Sequence, residues 1–467
     1  MTKVMSLLRI LVGMISVITL VFTYSCKPKT IHNIMTDSST DSIAFLLPEW
    51  AKSANIYEVN IRQYTPEGTF DAFRKHLPRL QKMGVDILWF MPIYPISETK
   101  KKGSLGSYYA VSDFKATNPK FGTIDDFKSV IDEAHNLGMK VILDWVPNHT
   151  GWDHVWIKNH PDYYTIDSLG NIIDPLNEHG ESMGWADVAD LNYDNKDMRH
   201  EMIADMKWWL TDYNIDGFRH DMALLVPLDF WREAIPQLRM VKPDLFLLAE
   251  SEVHDHLNQD CFHAMYAWSL HHTLNDIAKA KTNAKAIDRW MEDQKPKVNK
   301  GSYLLFTSNH DENSWSGSEI ERMGEGHKAF AVLVSMMDGI PLIYSGQEEP
   351  MPKRLEFFEK DDIGFKDFAY SDFYTTLNRL KHEHPALWNS PYGGEVHRIM
   401  MNDHIYAFTR AKDNDKVTVI INLSKQKQSV VSDIAIAGKE AFSSKDIKYN
   451  QGDVVVLGPW EYMIVTQ

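Results

Sequence analysis

Past Pro48, short apolar runs alternate with longer amphipathic stretches along most of this chain. Eight short runs stand out, at 55–61, 86–91, 140–146, 215–221, 245–249, 264–268, 303–307 and 340–345. They are mostly apolar throughout rather than alternating, which predicts parallel strands covered on both faces. Helical spacing fills several of the gaps. Phe70, Phe73, Leu77 and Leu80 mark a helix over 70–83 that stops at Gly84. Thr123 is a suitable N-cap, with Asp126 in the first turn, for a helix ending at Leu137-Gly138. Two more helices are predicted over 198–213 and 227–240. Eight buried strands alternating with helices predict an α/β fold of the (β/α)8 TIM-barrel type. An open doubly wound sheet would share the pattern, but no glycine-rich dinucleotide fingerprint follows the first strand.

The connection after the third run, 147–195, is far longer than its neighbours and rich in Gly, Pro, Asn, Trp and Tyr. Long excursions from the C-terminal end of a barrel strand carry substrate-binding elements. From about residue 391 the pattern turns strand-like, with runs at 397–400, 404–409, 417–422, 428–432 and 453–457, so a small all-β domain over 391–467 closes the chain. The barrel itself occupies 46–390. At the other end, Lys3 and Arg9 precede the apolar stretch 10–24 and the junction Ser25-Cys26. That reads as a lipoprotein-type signal peptide over 1–25, with Cys26 as the lipidated residue. The small, polar residues of 26–45 read as a flexible tether. The expected location is therefore the cell envelope, in the outer membrane or periplasm, with the membrane engaged only through a lipid anchor.

Composition narrows the partners. The 467 residues suit a large barrel plus an accessory domain, and 44% hydrophobic with 24% charged residues is the balance of a water-soluble body. A formal charge of −15 repels phosphate backbones and argues against nucleic acid. With only Cys26 and Cys261 present, a lipidated Cys26 leaves no pair for an internal disulfide.

The carboxylates then carry the chemistry. Asp144 sits inside the third run, Asp221 closes the fourth, Glu250 closes the fifth, and Asp311 follows the seventh. A charge at an apolar strand end is costly to bury unless it is paired or used. One alone reads as a structural ion pair, but four would converge at the barrel mouth, beside Arg219, His149 and His310. There is no nucleophile-elbow Ser, no Cys–His pairing, no phosphate-cradling loop and no zinc-type His spacing. Converging carboxylates without a metal cage suit glycoside hydrolysis.

Four segments, 144–149, 217–221, 248–250 and 306–311, resemble glycoside hydrolase family 13, the α-amylase family, in order, spacing and position. The resemblance implies a TIM barrel, a short inserted domain after strand three (147–195) and a C-terminal β-sandwich. It further implies a retaining glycosidase acting on α-glucans or malto-oligosaccharides, with Asp221 as nucleophile, Glu250 as acid/base and Asp311 binding sugar hydroxyls. α-Glucosidases, transglycosylases and isomerases of the same family are the alternatives. A sugar-binding relative without catalysis would have lost one of those three carboxylates. The resemblance also assigns Tyr109, His149, Arg219 and His310 to substrate binding, with Tyr108 competing as a packing aromatic. Arg219, two residues before Asp221 on a strand, is expected to keep it ionised.

Asn148 and Asp190 match two of the family's calcium ligands, but Leu225 stands where the third, a His, would be. No cofactor is expected in the chemistry, and structural calcium rests on those two residues alone. The Lys-His pair that many α-amylases place after the nucleophile is also absent, replaced within 222–225 by Met-Ala-Leu-Leu. Of Trp152, Trp156, Tyr163, Tyr164, Trp185 and Tyr193, about half should form the insertion's own core and the rest stack on glucose units. Lys100, Lys101 and Lys102 read as a solvated loop.

Overall fold

In the computed structural model, residues 45–177 and 179–467 are described. The signal peptide, Cys26 and nearly all of the expected tether lie outside them.

Eight parallel strands close into a barrel: β1 (Ile56–Val59), β2 (Ile87–Phe90), β3 (Lys140–Trp145), β4 (Gly217–His220), β5 (Phe246–Ala249), β6 (Ala264–Tyr266), β7 (Ser302–Leu305) and β8 (Ile340–Tyr344). Pairing of Ile56 with Leu342 joins the first strand to the last. Strand periodicity divides the core into two shells. Ile56, Ile87, Trp89, Ile142, Phe246, Leu248, Leu304 and Leu342 fill the interior. The alternate positions, among them Tyr57, Leu88, Val141, Phe218 and Leu247, pack outward in the larger cluster that includes the surrounding helices. This alternation gives Glu58, Asp144, Arg219, Asp221 and Glu250 the interior parity. Gly217 has a backbone reason to be glycine: its φ is +152°, and a Cβ there would stand 1.8 Å from the Phe246 carbonyl oxygen.

The helices follow their local signals, with one break. Ile124–Asn136 carries a full capping box between Thr123 and Asp126. The helix expected over 70–83 is instead two, Phe70–Arg74 and Leu77–Lys82. Pro78 accounts for the break, since it has no amide hydrogen and its ring would strike the carbonyl one turn back.

The insertion is mostly loop, pinned by an antiparallel ribbon of His149–Gly151 against Val188–Asp190. The C-terminal region holds a six-stranded antiparallel sheet and a two-stranded one. Three of its strands, Ile436–Glu440, Asp446–Tyr449 and Tyr462–Thr466, were not expected from the sequence. Their positions are largely part-exposed or exposed, so no apolar run announces them. Arg410, wholly buried, stitches this sheet to the barrel by donating to the carbonyls of Met337, Leu387 and Trp388 at 2.8, 3.1 and 2.6 Å.

Candidate active site

The carboxylates meet where β3, β4 and β5 end, around one guanidinium. Arg219, with no exposed surface, places Nη1 2.9 Å from Asp144 Oδ1 and 3.0 Å from Asp221 Oδ1. Its Nη2 forms an ion pair with Glu250 Oε2 at 2.9 Å, and Nε donates to the Tyr266 hydroxyl at 3.2 Å. Register explains the meeting: Asp144 pairs directly with Arg219, and Arg219 with Leu248, two residues before Glu250. One cation shared by three carboxyl groups makes their burial tolerable. The chain turns sharply after Asp221. Met222 takes a left-handed conformation, φ 43°, and its amide donates to Glu250 Oε2 at 2.8 Å. A non-glycine residue held there stores strain of a kind found at working sites.

Electrostatics separates the groups. Burial pushes the Asp221 carboxyl well above its usual range, Arg219 pulls it down, and Glu250 and Asp144 push it up again. Arg219 therefore opposes protonation of Asp221, as the sequence suggested, but burial outweighs it. Burial likewise lifts Asp144 to about 6 against the pull of Arg219 and His310. The two histidines part company. Burial lowers His149 to about 4, so it is neutral near pH 7. His310 is pushed up to about 9, because Asp311 and Glu58 outweigh its burial.

Over these groups lies a cleft of about 450 Å³, lined by Asp221, Glu250, Asp311, Tyr109, His149 and His310, with Trp185, Trp315, Phe357 and Phe358 as apolar walls. Arg219 lies beneath it. Tyr109 donates to Asp144 Oδ2 at 3.1 Å, and its oxygen is 2.7 Å from His310 Nε2. Tyr108 instead bonds Asn60 at 2.9 Å and packs under Arg62, away from the cleft. Of the six insertion aromatics, Trp156, Tyr163, Tyr164 and Tyr193 are buried and Trp185 lines the cleft. Trp152 lies beneath Lys100, whose Nζ is 3.2 Å from the ring centroid.

The lysine triplet is not simply a solvated loop. Lys101 pairs with Glu98 at 2.5 Å, and Lys102 pairs with Asp187 at 2.6 Å on the cleft wall. The insertion folds over this loop and supplies partners for Lys100 and Lys102 that are remote in sequence.

Asn148 and Asp190 stand apart from the cleft lining. The Asn148 amide nitrogen is 3.3 Å from His149 Nδ1, and Asp190 pairs with His149 across the ribbon. Burial raises Asp190 to about 6. The Leu225 side chain offers no oxygen, and no group of three or more His, Cys, Asp or Glu among the described residues is arranged to hold a metal.

Several site residues escaped the sequence reading: Glu58, Tyr266, Asp187, Trp315, Phe357 and Phe358. Glu58 had a usable signal. It is a charge within the apolar run 55–61, just as Asp144 is within its own. Trp315, Phe357 and Phe358 had none, because their segments are unpatterned.

A closed parallel barrel whose mouth holds clustered carboxylates and a walled cleft defines a barrel enzyme working by carboxylate chemistry. The alpha amylase catalytic-domain model matches residues 33–170 and 178–356. The chain therefore belongs to the alpha-amylase family, a family of glycosidases. It is similar to alpha-amylase MalA of Haloarcula japonica, at 27% identity over 82% of this chain and 57% of that protein. The match therefore spans little more than half of the relative's length. Alpha-amylase 3 of Dictyoglomus thermophilum is 24% identical over 89% of this chain and 93% of its own. Among solved structures, a maltogenic alpha-amylase, AmyB, from Thermotoga neapolitana superposes with a TM-score of 0.80 at 26% identity, covering 89% of this chain and 99% of that one.

Proposed function

We propose that the chain hydrolyses α-glucosidic bonds in α-glucans or malto-oligosaccharides, with retention at the anomeric carbon. One observation carries the reading: Asp221 and Glu250 share the Arg219 guanidinium, so the two carboxyls sit side by side at the cleft floor. Retaining enzymes keep such a pair about 5–5.5 Å apart, whereas inverting ones leave room for a water between. Asp221 attacks the anomeric carbon while Glu250 gives its proton to the glycosidic oxygen. The bond to the leaving sugar breaks as the bond to Asp221 forms. Glu250, now anionic, takes a proton from water, and the water oxygen displaces Asp221. Met222 N–H and Arg219 hold Glu250 Oε2, which leaves Oε1 for the leaving group. Asp311, His310 and neutral His149 bind hydroxyls of the reacting sugar, and Tyr109 stacks on it. Relatives named alpha-amylase and maltogenic alpha-amylase support the substrate class.

Product stereochemistry tests the reading. Proton NMR of early hydrolysis of maltoheptaose should show the α-anomer first, and Asp221→Asn should abolish the signal. A β-anomer as first product would overturn it. Trials on isomaltose, pullulan and trehalose separate linkage preferences and reveal sugar-to-sugar transfer.

The same reading has the chemistry run without a metal. With Leu225 in place of a ligand, dialysis against EDTA should leave the rate within about twofold. A loss that only calcium restores would refute this.

We further propose that the enzyme is exported and tethered by lipid at Cys26. The basic start, the apolar stretch 10–24 and the Ser25-Cys26 junction support this. Among the described residues no helix is long and apolar enough to cross a membrane.

A further inference from the structure

The first barrel strand carries a carboxylate for which the reaction as derived has no step. Glu58 on β1 is fully buried with interior parity. Its Oε1 lies 2.5 Å from His310 Nδ1, and 3.4 Å from the His310 backbone nitrogen. The opposite ring nitrogen, Nε2, lies 2.7 Å from the Tyr109 oxygen and 3.4 Å from Asp311 Oδ2.

Counting protons along this chain of contacts limits the states open to the ring. A tyrosine hydroxyl has one proton to give. Tyr109 gives it to Asp144 Oδ2, which also accepts from Trp89 Nε1 at 3.1 Å. With its proton placed there, the Tyr109 oxygen accepts and His310 Nε2 carries a hydrogen. An ionised Glu58 only accepts, so Nδ1 must carry one as well. A histidine that donates from both nitrogens is an imidazolium.

Two rival arrangements leave the ring neutral: Tyr109 gives its proton to Nε2, or one proton moves to Glu58. Burial favours the second by pushing the Glu58 carboxyl up, while His310 and Arg219 pull it down and Asp311 pushes it up. The groups facing the ring are Glu58 from β1, Tyr109 from the loop after β2, Asp144 from β3, Arg219 from β4, and its own neighbour Asp311. Three are acids and one is a cation, a balance that favours positive charge on the ring. His149 across the cleft lacks such company, and burial leaves it neutral.

We propose that Glu58 is a positioning residue that fixes His310 as an imidazolium, so the sugar hydroxyls bound beside Asp311 meet a full positive charge rather than a dipole. What the charge is used for rests on the glycosidase reading; the charge itself does not. With both N–H groups directed at Glu58 and Tyr109, the cation acts on the sugar hydroxyls through its charge, which a dry site screens weakly. It also offsets Asp311, the carboxylate on its own element.

The test reads the imidazole directly. In full-length protein labelled with ¹⁵N-histidine, the His310 resonances are identified by their loss in His310→Asn. Wild type should show both ring nitrogens protonated at neutral pH, with the proton lost near pH 9. Glu58→Gln keeps an acceptor oxygen for Nδ1 and removes the charge, so the midpoint should fall by at least about one pH unit. Glu58→Asp should restore part of it. The alkaline limb of kcat/KM should move down with the midpoint in Glu58→Gln. A neutral His310 in wild type at pH 7, or an unmoved midpoint in Glu58→Gln, overturns the proposal. Should Glu58→Gln not fold, the wild-type titration decides alone. The NMR readout needs no turnover, so absence of α-glucan hydrolysis would count against the enzyme reading and not against this one.

Discussion

Asp221 has two demands on it that pull apart. A nucleophile must be ionised, yet burial among Glu250 and Asp144 favours its proton, and only Arg219 opposes. The sign of the pH dependence follows. As pH falls through a carboxyl pKa raised above the ordinary value of about 3.9, the nucleophile is protonated and the rate falls with it. The acid limb of kcat/KM should therefore lie above the usual carboxylate range. A rate profile on maltoheptaose that stays flat down to about pH 4 would show that Asp221 is ionised more easily than its surroundings imply. At this scale the sequence was informative wherever a charge interrupts an apolar run. Asp144, Asp221 and Glu250 stood out for that reason, and Glu58 could have been read the same way.

Elements decide what surrounds those residues. Several contacts fasten the loop after β2 to the insertion. Asp153 accepts from the Glu98 and Thr99 amides at 2.8 and 3.2 Å, Lys100 covers Trp152, and Lys102 pairs with Asp187. The short turn Glu312–Ser316 after Asp311 presents Trp315, which is 54% exposed, 5.1 Å from Phe357. Phe357 in turn lies parallel to Tyr109 at 6.4 Å, so an aromatic wall runs from the floor of the cleft to its rim. A large indole left facing solvent on a cleft wall suits stacking on a further sugar, with stacking contributing about 0.5–1.5 kcal/mol. Trp315→Ala should cut kcat/KM on maltoheptaose by a few-fold to about tenfold, with little effect on a short aryl glycoside. Equal losses on both substrates would mean that Trp315 supports the turn and does not bind sugar.

For the whole molecule the question is where it works. The formal charge of −15 repels anionic lipid, so retention at a membrane surface needs an acyl anchor rather than electrostatic attraction. Cys26→Ala should release active enzyme to the soluble fraction, or stall as the unprocessed precursor. Wild-type protein that is soluble and begins elsewhere than at Cys26 would make the anchor reading wrong. The described body is one compact unit from Phe45 to Gln467, and Arg410 binds its last sheet to the barrel.

Local chemistry was enough to specify the eight barrel strands and the helices Ile124–Asn136, Lys196–Asp212 and Leu228–Val241. An apolar run buried on both sides, a capping box at Thr123 and Asp126, and a carboxylate at a strand end each act within a few residues of themselves. The helix break at Pro78 belonged to the same class and was legible too. What local pattern cannot carry is adjacency. Whether Arg219 meets one carboxylate or three depends on strand register around a closed barrel. Lys102 finds Asp187, and His310 finds Glu58, only when segments hundreds of residues apart, or an unpatterned loop, are brought together. Proton positions follow from those meetings, because burial and neighbouring charge set them. The side chains of this site were thus specified along the chain, and their charge states were decided by the closed barrel.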